Sequence, residues 1–370
     1  MKILFCQTQF KMGGQQKVLL TIAKALNKTH DVTIYYENHN VFDFENLKII
    51  RLSKIYQVIN LFRSIIICLF KGKVDRKILA DTYHLLNVKK SLKGKNFDLI
   101  ILLNPYVMFV DEIRQVVKTK KIVCWTHSLY ENYMYNRFKS EQKELIKSMS
   151  HADQIVSLEE YTACKWREIN PNTVVIHNPI AIANKDMVTD LESKKIGYVG
   201  RIDVDVKGLD FLCQIAGLLD KNLKIYVAGE GSAKEEKEFS DLIKKNEVSN
   251  QIIRVGLLRG KKLEEFYQSL SLFIMTSRLE GFPLVAGEAM SFGVPFIGFD
   301  IPSTREVTDN GKFGVLVKQE NVNEFANQIY QLLEDKSLLE KYSQKSLERA
   351  KNLQLGDILE QWEDKVFSNL

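Results

Sequence analysis

The amino-acid sequence predicts an α/β protein made of two doubly wound, parallel-sheet domains in tandem. Three observations lead there. The chain has 370 residues, a length that favours two domains over one. Its apolar residues fall in short continuous runs rather than strict alternation, as in strands covered on both faces. Between these runs lie longer stretches whose apolar residues recur every three or four positions, so helix alternates with strand.

In chain order, strands are predicted over 3–6, 32–36, 99–103, 122–125, 155–158 and 174–176 in the first half. In the second half they fall over 196–199, 223–228, 252–255, 272–275 and 295–299. The run at 3–6 is too short for the apolar core of a signal peptide and reads as the first strand. Val18, Leu19, Ile22, Ala23 and Leu26 mark an early helix; Phe325, Ile329, Leu332 and Leu333 mark a late one. The break between domains is expected near Asn178-Pro179, where strand-like 173–177 ends and a polar stretch, 184–193, precedes the next strand. The first domain is then 1–180 and the second 181–354. Two such domains set a cleft between the carboxyl ends of their sheets, where ligands bind in this kind of fold.

Composition bounds the function. At 45% hydrophobic and 26% charged, the chain reads as an ordinary soluble globular protein. No stretch approaches the roughly 18 uninterrupted apolar residues of a membrane-spanning helix. Its 5 cysteines are scattered, with no Cys-x-x-Cys, so neither a zinc site nor a disulfide framework is indicated and a reducing cytoplasm is the natural compartment. Residues 1–180 carry 27 Lys and Arg against 16 Asp and Glu, whereas 181–370 carry 25 against 30. A basic first half implies an anionic neighbour: phospholipid, an anionic acceptor or nucleic acid. Nucleic acid has the least support, because no aromatic-basic platform or recognition motif is visible.

The segment from Arg278 to Met290 carries the most chemistry. Glu280 and Glu288 flank seven residues that include Gly281, Pro283 and Gly287. Pro283 fits the first position of a helix, where its missing N–H costs nothing. The N–H groups that follow, with the helix dipole, favour a phosphate. Glu288, about a turn in, suits vicinal ribose hydroxyls, and Glu280, before the turn, suits a sugar. A helix with a dipole-favoured carboxylate near its start accounts for the same pattern taken alone.

Gly200-Arg201 follows the strand at 196–199, and Lys207-Gly208 follows six residues later. Two cations at a strand's carboxyl end suit a diphosphate, Arg as a fork and Lys as a mobile point charge. Asp203 and Asp205 lie in the same loop, but Arg201 and Lys207 already supply a divalent metal's electrostatic role, so no metal is predicted. Met12-Gly13-Gly14-Gln15, between the first strand and first helix, permits close backbone approach to a ligand. It is neither Gly-x-Gly-x-x-Gly nor a Walker loop, which weighs against dinucleotide and ATP. His127 ends another strand at the carboxyl edge, and the histidines show no metal-ligand spacing. Residues 51–77 combine Ile55, Val58, Ile59, Phe62, Ile65, Ile66 and Leu69 on one helical face. Arg51, Lys54, Arg63, Lys71, Lys73, Arg76 and Lys77 flank that face. Such a segment either lies on an anionic membrane surface or packs on its own domain.

Taken together, these residues resemble the retaining family-4 glycosyltransferases of the GT-B fold. The match runs through nearly the whole second half: Gly197-Tyr198-Val199-Gly200-Arg201, Lys207-Gly208, Ile225 through Gly231, residues 276–295, Glu306, Asn310-Gly311, Gly314 and Val317. The first half matches more loosely, through Gly13-Gly14, His127, Ala152-Asp153 and 175–179. The resemblance implies two Rossmann-like domains facing a deep interdomain cleft, with residues 355–370 crossing back onto the first. It implies a nucleotide-sugar donor, with a UDP-sugar favoured, and a glycan or lipid-linked acceptor, as in bacterial surface polysaccharide synthesis. In the family pattern Arg201 and Lys207 hold the donor diphosphate. Glu280, with Gly281, Phe282, Pro283, Leu284 and Val285, contacts sugar and phosphates, and Glu288 holds the ribose. Gly14 approaches the diphosphate from the other domain, and His127 contacts the donor sugar. Gly287 departs from the family pattern and weakens the helix by roughly 1 kcal/mol relative to Ala. No cofactor is implied. A non-catalytic binding subunit and a nucleotide-sugar epimerase of the same fold are the alternatives.

Overall fold

The computed structural model describes residues 1–370 except 12, 71, 73, 74, 181–188 and 369. Met12 of the glycine loop, Lys71 and Lys73 of the basic flank, the expected domain start at 181 and the 184–188 part of the polar stretch lie outside the described residues.

The chain divides into two compact units, Met1–His177 with Leu359–Leu370, and Asn178–Ile358. The first is built on strands β1 (Lys2–Cys6), β2 (Gln9–Phe10), β3 (Asp31–Tyr35), β4 (Asn38–Asn40), β5 (Lys48–Ile50), β6 (Asn96–Leu102), β7 (Lys118–Trp125), β8 (Gln154–Ser157) and β9 (Thr173–Val175). Seven of these form a parallel sheet in the order β5-β3-β1-β6-β7-β8-β9, and β2 pairs with β4 separately. The second unit holds β10 (Ile196–Val199), β11 (Ile225–Ala228), β12 (Ile252–Gly256), β13 (Leu272–Met275), β14 (Phe296–Phe299) and β15 (Val315–Val317). Its parallel sheet runs β12-β11-β10-β13-β14-β15, the doubly wound order that reverses direction between its first and fourth strands. In the first unit the same reversal falls between β1 and β6.

The predicted strands of four residues or more are all present. Four short ones were not predicted: β2, β4, β5 and β15 have two or three residues each, too few for a periodic signal. The strands are buried on both faces because helices cover them. In the first unit Leu4, Cys6, Ile100, Leu102, Ile122 and Cys124 pack with Tyr106, Phe138 and Trp166. In the second Ile196, Ile225, Leu272, Ile274 and Ile297 pack with Leu209, Leu212, Phe325 and Ile329.

The end of the chain is part of the first unit. Trp362 is fully buried and meets Trp125 edge to face, ring centroids 5.0 Å apart. Lys121 Nζ donates to the Val366 carbonyl oxygen at 2.7 Å, and Gln154 Nε2 to that of Lys365 at 2.9 Å.

The helix Lys54–Phe70 is turned inside out relative to a surface helix. Its buried residues are Gln57, Asn60, Ser64 and Cys68, whereas Ile55, Phe62 and Phe70 are 73%, 63% and 89% exposed. It packs against the helix Arg76–Leu92 through polar contacts: Asn60 Nδ2 donates to Asn87 Oδ1 at 2.9 Å, and the Cys68 thiol points to Thr82 Oγ1 at 3.8 Å. Asn87 in turn donates to the buried carboxylate of Glu37 at 3.1 Å, which also accepts from Tyr106 at 2.7 Å and Tyr35 at 3.1 Å and meets His84 Nδ1 at 2.8 Å. A buried carboxylate so surrounded is satisfied, and burial with its negative charge pushes both tyrosine hydroxyls well above their ordinary pKa.

Trp362→Ala removes a fully buried ring from the first unit. The expected loss is about 3–5 kcal/mol of stability, read by urea unfolding. A loss within about 0.5 kcal/mol would mean that the chain end does not secure this core.

Candidate active site

Three loops at the carboxyl ends of β10, β11 and β13 interlock. The loop after β10 carries Gly200 and Arg201 into the short helix Val204–Lys207, which Asp203 caps by accepting from the Val206 N–H at 3.0 Å. Gly208 ends that helix at φ 60°, and a Cβ there would sit 2.0 Å from the carbonyl oxygen of Thr276, just beyond β13. Only glycine fits both the backbone and the space. Likewise, a Cβ on Gly229, after β11, would lie 1.8 Å from the Gly200 carbonyl oxygen.

Arg278 ties the loop after β13 to the loop after β10. Its guanidinium forks onto Asp210, at 2.7 and 2.6 Å, donates to the Asp205 carbonyl oxygen at 3.1 Å and lies 4.0 Å from the ring centre of Phe211. Its backbone N–H donates to Val206 at 3.0 Å, and Thr276 Oγ1 donates to the Lys207 carbonyl oxygen at 3.1 Å. The Asp210 hydrogen bonds hold the guanidinium above its ordinary pKa.

The result is that Lys207 Nζ is hydrogen-bonded to Glu280, which also accepts from Ser277 Oγ at 2.8 Å. Arg201, exposed, pairs with Asp203. Both cations expected at a diphosphate therefore stand beside a carboxylate. The Arg201 pair, being exposed, contributes little to stability and exchanges readily for another anion.

The helix after this loop is Leu284–Ser291, with Pro283 at its cap in an extended conformation rather than at its first position. The Pro283 carbonyl oxygen accepts from the Ala286 and Gly287 N–H groups at 3.0 and 3.4 Å. The N–H groups of Leu284 and Val285 belong to the first turn, which lacks intrahelical acceptors and carries the positive end of the dipole. Gly281 is part-exposed and Phe282 is buried. Glu288 is only 4% exposed and accepts from the Tyr267 hydroxyl at 3.1 Å. Burial, then the Glu288 charge, pushes that hydroxyl well above its ordinary pKa, so it stays protonated as a donor. At Gly287 a Cβ would lie 3.3 Å from Ile180 Cγ1, so glycine lets the helix pack closely there.

In the first unit, Gly14 opens the helix Gly14–Leu26 that follows β1 and β2, and His127 follows β7. Both lie at the carboxyl edge of one sheet. The His127 N–H donates to the Tyr133 hydroxyl at 3.2 Å, and its ring centre is 4.2 Å from that of Trp125. The residue is partly exposed, but its Nε2 is enclosed and makes no hydrogen bond among the described residues. Burial lowers its pKa from 6.5 to about 3, so at neutral pH His127 is an uncharged group with an unsatisfied nitrogen. The structure thus gathers Arg201, Lys207, Glu280 and the 281–288 segment in one unit, and Gly14 and His127 on one sheet edge in the other. Arg278, Asp210, Ser277 and Tyr267 were not assigned roles from sequence. Arg278 stands two residues before Glu280, which is a signal, but its partner Asp210 is 68 residues away.

Comparison with known proteins fits this architecture. The family model Glycosyltransferase Family 4 matches residues 12–184, and the model Glycosyl transferases group 1 matches 182–349. An uncharacterized glycosyltransferase of Haemophilus influenzae is 25% identical over 95% of each chain. An α-1,4-N-acetyl-D-galactosaminyltransferase of Campylobacter jejuni is 22% identical over 98% of this chain and 97% of its own; its name gives a diNAcBac-PP-undecaprenol-linked GalNAc disaccharide as acceptor. Among solved structures, Anabaena HepE in complex with UDP superposes with a TM-score of 0.73 at 16% identity over the whole of both chains. The two family models and the superposition over two doubly wound units together make this a glycosyltransferase of the two-domain GT-B fold. The chain belongs to the family-4 glycosyltransferases.

The depressed pKa of His127 makes a pH prediction. Between pH 6.5 and about 3 the unfolded histidine binds a proton that the folded one does not. Stability therefore falls as pH drops through that window, by up to about 1.4 kcal/mol per pH unit from this group. His127→Gln is expected to flatten the wild-type curve there in denaturant titrations. Parallel curves for the two proteins would exclude the assignment.

Proposed function

We propose that this chain is a retaining glycosyltransferase that moves a hexose or N-acetylhexosamine from a nucleotide-sugar, most simply a UDP-sugar, to a glycan or lipid-linked acceptor. The carrying observation is the Lys207–Glu280 contact at the start of the helix Leu284–Ser291, held by the Arg278 clamp. The donor diphosphate gains negative charge as the sugar departs. Arg201, Lys207 and the first-turn N–H groups of Leu284 and Val285 stabilise that charge, and fixed donors of this kind act most on charge that develops in the transition state. When the diphosphate draws Lys207, Glu280 turns its freed lone pairs to the sugar hydroxyls. Glu288, braced by Tyr267, accepts from the ribose. In the first unit, Gly14 leaves its backbone open to a phosphate and neutral His127 offers a hydrogen bond to a sugar. The acceptor hydroxyl attacks on the face the nucleotide leaves, through an oxocarbenium-like state, and the departing phosphate oxygen takes its proton. The HepE complex with UDP and the polyprenyl-linked acceptor of the Campylobacter relative support this donor and acceptor class.

Lys207→Ala and Glu288→Ala are each expected to lower kcat/KM about 10²–10³-fold in a transfer assay with a panel of UDP- and GDP-sugars. Wild-type turnover is expected to persist with a chelator. Undiminished turnover in both variants removes the assigned roles, and an epimeric nucleotide-sugar formed without acceptor would make the chain an epimerase.

We further propose that the exposed apolar face of the helix Lys54–Phe70, flanked by Arg51, Lys54, Arg63, Arg76 and Lys77, rests on anionic lipid. No helix among the described residues is long and apolar enough to cross a membrane. The protein is expected to pellet with vesicles containing phosphatidylglycerol at low salt and to be released at high salt. Equal pelleting with neutral and anionic vesicles would leave no role for the basic flank.

A further inference from the structure

A concavity of about 790 Å³ opens at the carboxyl edge of the first unit's sheet, where β3 ends. Its wall includes Arg51, Lys54, His39, Tyr36 and Tyr83, together with Val58 and Leu61 of the helix Lys54–Phe70. Among the described residues no Asp or Glu contributes to that wall, and neither Arg51 nor Lys54 pairs with a carboxylate. The nearest acid in sequence, Glu37, engages its carboxylate with Tyr35, Tyr106, His84 and Asn87, and it presents only its backbone carbonyl to this side.

That carbonyl builds the site. Its oxygen accepts from Arg51 Nε and from Gln57 Nε2, each at 3.2 Å, and the Arg51 guanidinium lies over the Tyr36 ring at 5.3 Å. Tyr36 is itself held edge to face by Phe10, at 5.9 Å. One edge of the guanidinium is thus fixed, with the charge not neutralised, and Lys54 adds a second charge at the start of the adjoining helix. Two cations with aromatic and amide neighbours and no facing acid form a receptor for a multiply charged anion.

The neighbouring surface says what kind of anion. Val58 and Leu61 belong at once to this concavity and to the exposed apolar stripe that continues through Phe62, Ile65, Ile66 and Leu69. An anion site at one end of an apolar stripe suits a ligand with an anionic head and a long apolar tail. A free phosphate would use the cations and leave the stripe without purpose. The site also shares its sheet edge with Gly14 and His127, so a head group held there lies on the side of the unit where the proposed chemistry occurs.

We propose that Arg51 and Lys54 bind the diphosphate of a lipid-anchored acceptor, with Tyr36 and Gln57 positioning the guanidinium and the apolar stripe carrying the start of the lipid. The inference rests on the glycosyltransferase reading above and names its acceptor class. The test uses the full chain, calorimetric titration with farnesyl diphosphate, and competition by inorganic pyrophosphate and by farnesol. Wild type is expected to bind farnesyl diphosphate about tenfold or more tightly than Arg51→Gln/Lys54→Gln, since removing a charge-assisted hydrogen bond weakens binding by that order. Pyrophosphate should compete, and Phe62→Ser/Ile66→Ser should keep pyrophosphate binding while losing affinity for the farnesyl compound. Slow hydrolysis of the donor without acceptor is measured on the same samples. Equal farnesyl diphosphate binding by wild type and the basic-residue variant, with hydrolysis intact, overturns this inference alone; absence of donor hydrolysis in wild type strikes the parent reading instead. If pyrophosphate fails to compete while phosphatidylglycerol vesicles bind wild type and lose the variant, the cations serve general membrane attraction and the head-group site is refuted. Should the double variant melt below wild type, Lys54→Gln alone carries the comparison.

Discussion

The second unit's site depends on the clamp that Arg278 closes between two loops. A fork onto Asp210, a backbone carbonyl, an aromatic face and its own N–H fix one residue in four ways. The loops it joins leave β10 and β13, the adjacent strands at which the sheet reverses its winding. At such a point neighbouring loops diverge and open a crevice. Left alone, they would also be free to move apart. The clamp, with Thr276 bonded to Lys207 and glycine at 208 and 229, removes that freedom but admits no side chain where the backbones meet.

Fixing the loops sets the electrostatics. Lys207 has a flexible stem and several rotamers, which Glu280 narrows to one. A cation poised against a carboxylate is preorganised, so the diphosphate proposed above would displace or share that partner rather than order a mobile side chain. The charge on the arriving ligand is larger than that on one carboxylate, which favours the exchange. His127 shows the opposite arrangement in the other unit. Burial of its ring nitrogen holds the imidazole uncharged at neutral pH.

What the sequence disclosed follows from the physics of each signal. Strands of four or more buried residues announce themselves by composition, so the sheet cores around Leu99 to Leu102 and Leu272 to Met275 were legible. The two- and three-residue strands β2, β4, β5 and Val315–Val317 carry no period and were missed, whereas the equally short β9 was found. The run from Glu280 to Glu288 was readable because a proline, glycines and two acids constrain a loop and a helix start at once. Even so, Pro283 caps that helix instead of opening it, because its carbonyl oxygen serves the first turn. Tyr267 and Asp210 were invisible as partners: they lie 21 and 68 residues from the groups they hold, and pairing at such range is set by the winding of the sheet.

Periodicity likewise revealed the apolar face of the helix Lys54–Phe70 but not which way it points. The answer lies in a residue outside the helix. Glu37 is fully buried, and a carboxylate there is tolerable only with donors around it. Two of those donors come from the helix Arg76–Leu92, whose Asn87 passes the chain of hydrogen bonds on to Asn60. Gln57, Asn60, Ser64 and Cys68 must therefore face inward, and the 3.6-residue repeat then forces Ile55, Phe62, Ile66 and Leu69 outward. Water alone disfavours such exposure, by about 25 cal/mol for each Å² of apolar surface. The helix is nevertheless anchored without using any of that surface. An apolar phase meeting the outward face removes the penalty and breaks no contact that holds the helix to its unit. A buried acid at the end of β3 thus determines both the outward apolar face and, through its backbone carbonyl, the position of Arg51 beside it.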